Sequence, residues 1–534
     1  MTDVSIFALN LTLAVGLALA VDYTLLIVSR YRDELGNGLD REEALRCTMA
    51  AAGRTVVFSA VTVALSMAAL ALFPIYFLKS FAYAGVATVC FAALGAVLVT
   101  PALIVLLGER LNALDVRRLV RRILGRQEPA ARQVEEMFWY RSTKMAMRHA
   151  VPVAVVVTAV LLILGMPFLS AKWGFPDDRV LPGSLSARQV GDTLRTEFAV
   201  DPLTQVTVVI PDVAAATPAE LGGYAAELSR VQDVATVSAP NGTFIDGALA
   251  GPPTSPAGMA DGSAFLTVTS DAELFSTASE AQLDAIHAVP VPGDGNVLVT
   301  GIAQINRDST QAITSRLTTV LGVVAAITVM LVFLLTGSVV VALKALFLNM
   351  LSLSAGFGAL VWVFQEGHLG AFGTTSTGTL VAYIPLLLFC MAFGLSMDYE
   401  VFLISRIREY WLRSGRSAAD NDESVALGLA RTGRVVTAAA LIMVIAFAAL
   451  LSAQVSFLRM LGLGLALAVM VDATLVRMLL MPSFMHLLGR RNWWSPRPLI
   501  RLHELVGFGE THESAAVADL AAGPTGHRRG AVTR

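Results

Sequence analysis

Two short stretches pair a carboxylate with a phenol inside apolar sequence. They are Asp22–Tyr23 in ALAVDYTLLIVSRYR (18–32) and Asp398–Tyr399 in GLSMDYEVFLISRIR (394–408). An ionisable group at bilayer depth costs about 2.5–3.5 kcal/mol on insertion scales, so it marks a candidate working site. The chemistry open to it is proton uptake and release. A carboxyl group can be neutral or charged there, since burial opposes the charged form and a second carboxylate nearby opposes it further. Aligning Asp22 with Asp398 also aligns Tyr23 with Tyr399, Ser29 with Ser405, Arg30 with Arg406 and Arg32 with Arg408. In both copies an arginine follows the aspartate by eight residues, Asp22 to Arg30 and Asp398 to Arg406. At about 1.5 Å per residue, each carboxylate lies roughly 12 Å from its helix end. The two pairs are therefore expected at one depth.

The elements that position them must be membrane helices. Of 534 residues, 55% are hydrophobic and 15% charged, and the mean hydropathy is +0.66. That excludes an ordinary soluble protein. Nine apolar segments are long enough to span a bilayer: 5–29, 56–78, 82–107, 150–170, 316–336, 340–364, 379–405, 435–455 and 457–485. Arginine-rich loops follow the first, third, seventh and ninth, with Arg30, Arg117, Arg406 and Arg490 among their residues. Nine alternating spans put all four loops on one face, the cytoplasmic one. The fold class is thus a polytopic α-helical membrane protein.

The domains read as three spans of a first repeat (1–107), a basic cytoplasmic linker (108–149), one span (150–170), an extracytoplasmic insert (171–312), five spans of a second repeat (313–485) and a cytoplasmic, partly disordered tail (486–534). The linker is open to two readings, an amphipathic helix on anionic lipid or a solvated loop. The insert is acidic and reads βαββαβ, a split βαβ sandwich. Its strands are expected at 204–210, 234–238, 264–269 and 296–300, its helices at 217–231 and 276–288, with a Gly/Pro/Ser-rich loop at 250–263. Six spans separate the two Asp–Tyr helices, so they run parallel, as in halves related by an axis along the membrane normal. The second half holds three spans and a soluble insert before its Asp–Tyr helix that the first half lacks, so the chain is expected to be shortened at its N-terminus.

Other polar residues in the spans carry weaker signals. Ser59 and Thr62 could extend a relay from Asp22, but bonds to their own helix carbonyls are the favoured reading. For Glu400, lining a water path and pairing with a neighbour are equally weighted. Asp472 and Arg477 lie five apart in the last span and read as a structural ion pair. Lys344 and Arg459, near span ends, are expected to snorkel to the surface. Cys47, Cys90 and Cys390 imply no disulfide framework. The histidines have no ligand spacing, so no metal or other cofactor is proposed. There is no GxxxxGK[ST], HExxH or GxSxG run, which argues against ATP hydrolysis on this chain and against an enzyme.

Both Asp–Tyr stretches, together with AGRTVVFSA (52–60), TGRVVTAAALIM (432–443) and DATLVRMLLMPS (472–483), resemble the MmpL family of the RND transporter superfamily. The resemblance covers nearly the whole chain up to about residue 495. It implies a twelve-helix fold with two extracytoplasmic porter domains, of which the first three helices and first porter domain have no counterpart here. It also implies proton-driven export of lipids or other hydrophobic compounds across the cytoplasmic membrane, with Asp22, Tyr23, Asp398 and Tyr399 as the proton relay. The partners are then protons and a hydrophobic small molecule, with no nucleic acid. A polypeptide supplying the absent N-terminal part and a homo-oligomer are further candidates. The alternative reading is a truncated or split half of such a transporter, inactive or dependent on a partner chain.

Overall fold

A computed structural model describes residues 4–112, 134–198, 201–212, 217–292 and 296–506. Among the described residues, nine helices are long and apolar enough to cross a membrane. They are α1 (Ile6–Gly36), α2 (Arg41–Leu72), α3 (Tyr76–Leu107), α4 (Ala150–Ser170), α7 (Ile302–Thr336), α8 (Val339–Gln365), α9 (Tyr383–Leu412), α10 (Ala418–Ser452) and α11 (Ser456–Trp493). The insert supplies α5 (Pro218–Leu228) and α6 (Thr277–Ala288). Each of the nine expected spans overlaps one of these helices; the second, expected at 56–78, is found as Arg41–Leu72. Residues 113–133 of the basic linker and the tail beyond residue 506 lie outside the described residues. The C-terminal end of the linker is a helix, Phe138–Arg148, that packs on α10.

Helix α9 is the axis of the bundle. Its run from Ile384 to Val401 is buried throughout, as expected of a helix apolar on every side. The two repeats exchange partners around it: α1 packs on α10, while α2 packs on α9. That reciprocity is what a two-fold axis along the membrane normal produces. Close approach of α2 and α9 depends on Gly394, one turn before Asp398, where a Cβ would stand 3.2 Å from the Val63 Cα. Small residues of this kind let membrane helices meet backbone to backbone. Neighbours also hydrogen-bond the α9 carbonyls: Ser66 Oγ donates to Cys390 (2.6 Å) and Asn349 Nδ2 to Phe393 (3.2 Å).

The insert forms a sheet with its helices on one face. In chain order its strands are β2 (Val206–Ile210), β3 (Val234–Ala239), β4 (Gly242–Ile245), β5 (Ala248–Gly251), β6 (Gly258–Ala260), β7 (Ser263–Ser270) and β8 (Leu298–Gly301). The sheet order is β5-β4-β3-β7-β2-β8, with β6 on β7, and every pairing is antiparallel. Register pairs Val206 with Val268 and Val208 with Leu266. These residues face Leu221, Leu228, Leu283 and Ile286 from α5 and α6 in one apolar core. The four expected strands and both helices are present as a split βαβ unit. Strands β4, β5 and β6 are additions that the sequence reading did not contain; β6 and the end of β5 fall inside the expected 250–263 loop. A two-residue bridge, β1 (Trp173–Gly174) on β9 (Leu380–Val381), links the exit of α4 to the entry of α9.

Candidate functional site between the repeats

The exchange of helices brings both Asp–Tyr pairs into one buried cluster. Asp22 and Asp398 are 6% and 5% exposed. Their hydrogen bonds cross between repeats. The Tyr399 hydroxyl on α9 donates to Asp22 Oδ2 on α1. The Ser59 hydroxyl on α2 donates to Asp398 Oδ1 on α9. The Tyr23 hydroxyl stands 3.4 Å from Ser59 Oγ and near enough to Asp398 to interact with it. Each carboxylate is therefore held by groups from the opposite repeat.

The two halves of the cluster are not equivalent. Aligning the arginines of AGRTVVFSA and TGRVVTAAA places Ala439 where the first repeat has Ser59. Asp398 consequently has a serine donor from α2, whereas α10 offers Asp22 no hydroxyl at that position. Asp22 Oδ1 has no protein hydrogen-bond partner, and Tyr399 also contacts Met443 Sδ at 3.0 Å. Such an asymmetric pair of acids can hold one proton at a time in two different settings.

Helix α11 supplies the nearby cation. Its Asp472–Leu480 stretch is π-helical. Residues five apart lie on nearly opposite sides of an α-helix, but the wider π turn brings them together. Arg477 Nε thus donates to Asp472 Oδ2 at 2.8 Å, and a second nitrogen lies 2.6 Å from the same oxygen. The guanidinium also donates to the Ser396 carbonyl and, at 3.2 Å, to its hydroxyl. It lies over the Tyr399 ring, 5.4 Å from the centroid. The expected ion pair is present, and it also fixes the backbone just before Asp398.

The other polar residues of the spans resolve one by one. Thr62 bonds its own helix, donating to the Phe58 carbonyl at 2.8 Å, as expected. Ser59 does not; the close α2–α9 approach aims it at Asp398 instead. Lys344 does not snorkel. It is 7% exposed, on the α8 face turned into the bundle, and it interacts with Glu400 across the interior. Glu400 is 6% exposed, and neither its Oε1 nor the Lys344 Nζ has a hydrogen-bond partner among the described residues. Lys344 is the residue that span-end position misassigned: a buried carboxylate offers a cation more than the distant headgroups do. Arg459 is half-buried and caps the Ala453 and Phe372 carbonyls at 2.5 Å each.

A bundle of two exchanged helical repeats around buried ionisable residues, with a split βαβ insert, defines a multi-pass protein of the cell membrane. The chain belongs to the MMPL family, which it matches over residues 1–162 and 188–503, and hence to the RND superfamily. Three relatives bracket it. A Streptomyces coelicolor membrane protein, SCO6666, is 38% identical over 97% of this chain and 67% of its own length. The trehalose monomycolate exporter MmpL3 of Mycolicibacterium smegmatis is 33% identical over 96% of this chain and 51% of its own length. The mycolic acid-containing lipids exporter MmpL11 of the same organism is 30% identical over 97% and 53%. The chain spans about half the length of the exporters it matches.

Proposed function

We propose that this chain contains the proton-driven core of an exporter of lipids or other hydrophobic compounds. The observation that carries the reading is the crossed bonding of two buried carboxylates, Asp22 to Tyr399 and Asp398 to Ser59, across the interface of the repeats. A proton on one carboxyl changes it from a pure acceptor into a donor. It then competes with the hydroxyl that donates to it and loosens the bond between the repeats. Release restores the bond. Proton uptake from outside and release inside would in this way rock one repeat against the other, and the sheet domain, joined to α4 and α7, would follow. Tyr23 and Tyr399 bridge the carboxylates to the opposite repeat, and Ser59 links Tyr23 to Asp398. Arg477, Asp472, Lys344 and Glu400 hold the surrounding helices in register. Lipid export is inferred from kinship with exporters whose names state lipid cargo. The arginine-rich loops support an orientation with the sheet domain outside and the linker inside.

The test is export by the protein as its host makes it. Asp398→Asn keeps size and hydrogen bonding but cannot cycle a proton. It should abolish export while the protein remains folded in the membrane, and Asp22→Asn should do the same. Full export by the double variant would reject the proton reading.

A further inference from the structure

A cavity of about 710 Å³ opens at the arginine-rich end of the bundle, walled mainly by α1, α2, α9 and α10. Seven arginines line it against three carboxylates, Asp33, Glu43 and Glu409. Both repeats contribute in matched positions, Ser29 with Ser405 and Arg30 with Arg406. Arg54 on α2 and Arg431 on α10 bring guanidinium groups from the other two helices. The carboxylates are outnumbered. Glu409 alone faces three guanidiniums: Arg406 at 2.5 Å, Arg413 at 3.0 Å and Arg30 at 3.6 Å. Glu34, behind the wall, holds Arg30 at 2.8 Å; with it included, seven arginines still face four carboxylates. The Arg30 Nε is buried and has no hydrogen-bond partner among the described residues. Arginines at the cytoplasmic ends of membrane helices are ordinary. Their convergence from four helices on one walled cavity is not, because like charges between low-dielectric walls repel unless an anion joins them.

We propose that this cavity binds a phosphoryl group, clasped between Arg30 of the first repeat and Arg406 of the second. The chemistry that fits is a compact anion with several acceptor oxygens. Guanidinium forks take phosphate two bonds at a time, and a phosphate monoester carries about −1.5 to −2 charges at neutral pH. That offsets most of the arginine surplus, which one more carboxylate would not. The geometry allows a single anion to span the repeats, since Arg30 and Arg406 already meet on one oxygen, Glu409 Oε2. The volume lies within the range of small-molecule sites, about 300–1,000 Å³, so the phosphoryl group can arrive as part of a larger molecule. Two sources carry it: the headgroup of a membrane phospholipid, or a soluble phosphate ester. The site goes beyond the transport reading and stands without it, because it needs only the cavity and its charges. Arg30 and Arg406 sit at equivalent places on opposite repeats, so an anion held by both ties the arginine-rich ends of α1 and α9 together. In a protein whose repeats rock, such an occupant is a brake.

The test is thermal unfolding of the full chain in phosphatidylcholine nanodiscs, titrated with inorganic phosphate. A ligand of the folded state raises the midpoint with concentration, and NaCl at equal ionic strength should not. Arg30→Gln with Arg406→Gln should raise the half-saturating phosphate concentration at least about tenfold, through lost charge-assisted bonds. Arg148→Gln, an exposed arginine of the linker helix away from the cavity, should leave it within about twofold. Arg406→Lys keeps the charge but loses the fork; it is the second variant if the double one does not accumulate, with a loss of about threefold or more. In a second arm, phosphatidic acid in the nanodisc replaces added phosphate. A midpoint raised by this lipid, and no longer raised in the double variant, assigns the headgroup. A response to inorganic phosphate with none to the lipid assigns a soluble ester. No response in either arm, an equal response to NaCl, or responses unchanged by both arginine variants would overturn the proposal. Amide exchange at residues 30–36 and 406–412 should slow together on binding, and slowing in one repeat alone would reject the bridge.

Discussion

Removing Arg477 and Asp472 together should harm the protein less than the sum of the two single losses. Both side chains are almost fully enclosed, 4% and 6% exposed, with two nitrogens on one carboxylate oxygen at 2.6 and 2.8 Å. Arg477→Met leaves the Asp472 carboxylate buried without its cation, a loss of about 3–5 kcal/mol for a buried pair. It also removes both bonds to Ser396 and takes the guanidinium's attraction away from Asp398 and Glu400. Asp472→Asn keeps a hydrogen-bond acceptor and leaves the guanidinium on Ser396 and Tyr399, so about 1–3 kcal/mol is expected. The double variant has neither charge to desolvate. The cycle should show a favourable coupling of about 1–3 kcal/mol, within the range seen for contacting residues. The assay is unfolding of the purified protein in mixed micelles, followed by helical circular dichroism. Additive losses, with coupling below about 0.5 kcal/mol, would refute an energetically linked pair.

Close helix approach makes Gly358 sensitive: a Cβ there would fall 1.8 Å from the Leu164 carbonyl oxygen. Gly358→Ala should lower stability by about 1–3 kcal/mol or more as α4 and α8 are forced apart. Gly322→Ala, with open space around its Cβ, should be neutral or slightly stabilising in the same unfolding assay, and equal effects would contradict the packing argument. For topology, Ala260→Cys should be labelled by an impermeant thiol reagent on intact cells and Ala419→Cys should not; the reverse pattern would reject the orientation. Near the sheet domain, the two-pronged Arg195 contact, at 2.7 and 2.6 Å, holds the Asp178 carboxyl below the usual carboxylate range. A carboxylate depressed in the folded state stabilises above its unfolded value, about 3.9, and that contribution is lost as pH falls through the folded one. Asp178→Asn should therefore reduce hydrogen-exchange protection of helix 186–197 at neutral pH, by about 1 kcal/mol at this partly exposed site. The difference should vanish in strong acid, and a pH-independent difference would contradict the assignment.

The repeat made the centre of the molecule legible. Two identical Asp–Tyr phrases at matched distance from a basic end could be placed at one depth without any coordinates, and the span pattern followed from hydropathy and arginine. What the sequence concealed was interhelical. Ser59 looks like any serine on an apolar helix; its bond to Asp398 exists because Gly394 lets α2 and α9 touch. The i, i+5 spacing of Asp472 and Arg477 could not reveal that the helix widens there to join them. Lys344 was misplaced because span-end position was weighed and the facing helix was not known; Glu400 would have been the clue. In the insert, β4 to β6 are short runs (GTFI, ALAG, GMA) too brief for an alternating pattern to stand out.

The claim on which the rest depends is that Asp22 and Asp398 exchange protons with water. Infrared difference spectroscopy of the protein in lipid nanodiscs, between acid and neutral buffer, reads this directly through the C=O stretch of protonated carboxyl groups. It requires no cargo and no further polypeptide. Native protein should show a protonated-carboxyl band that appears with acid, weakens in Asp22→Asn and in Asp398→Asn, and is lost in the double variant beyond what the exposed acids contribute. Spectra of the double variant that superimpose on the native ones would contradict the account.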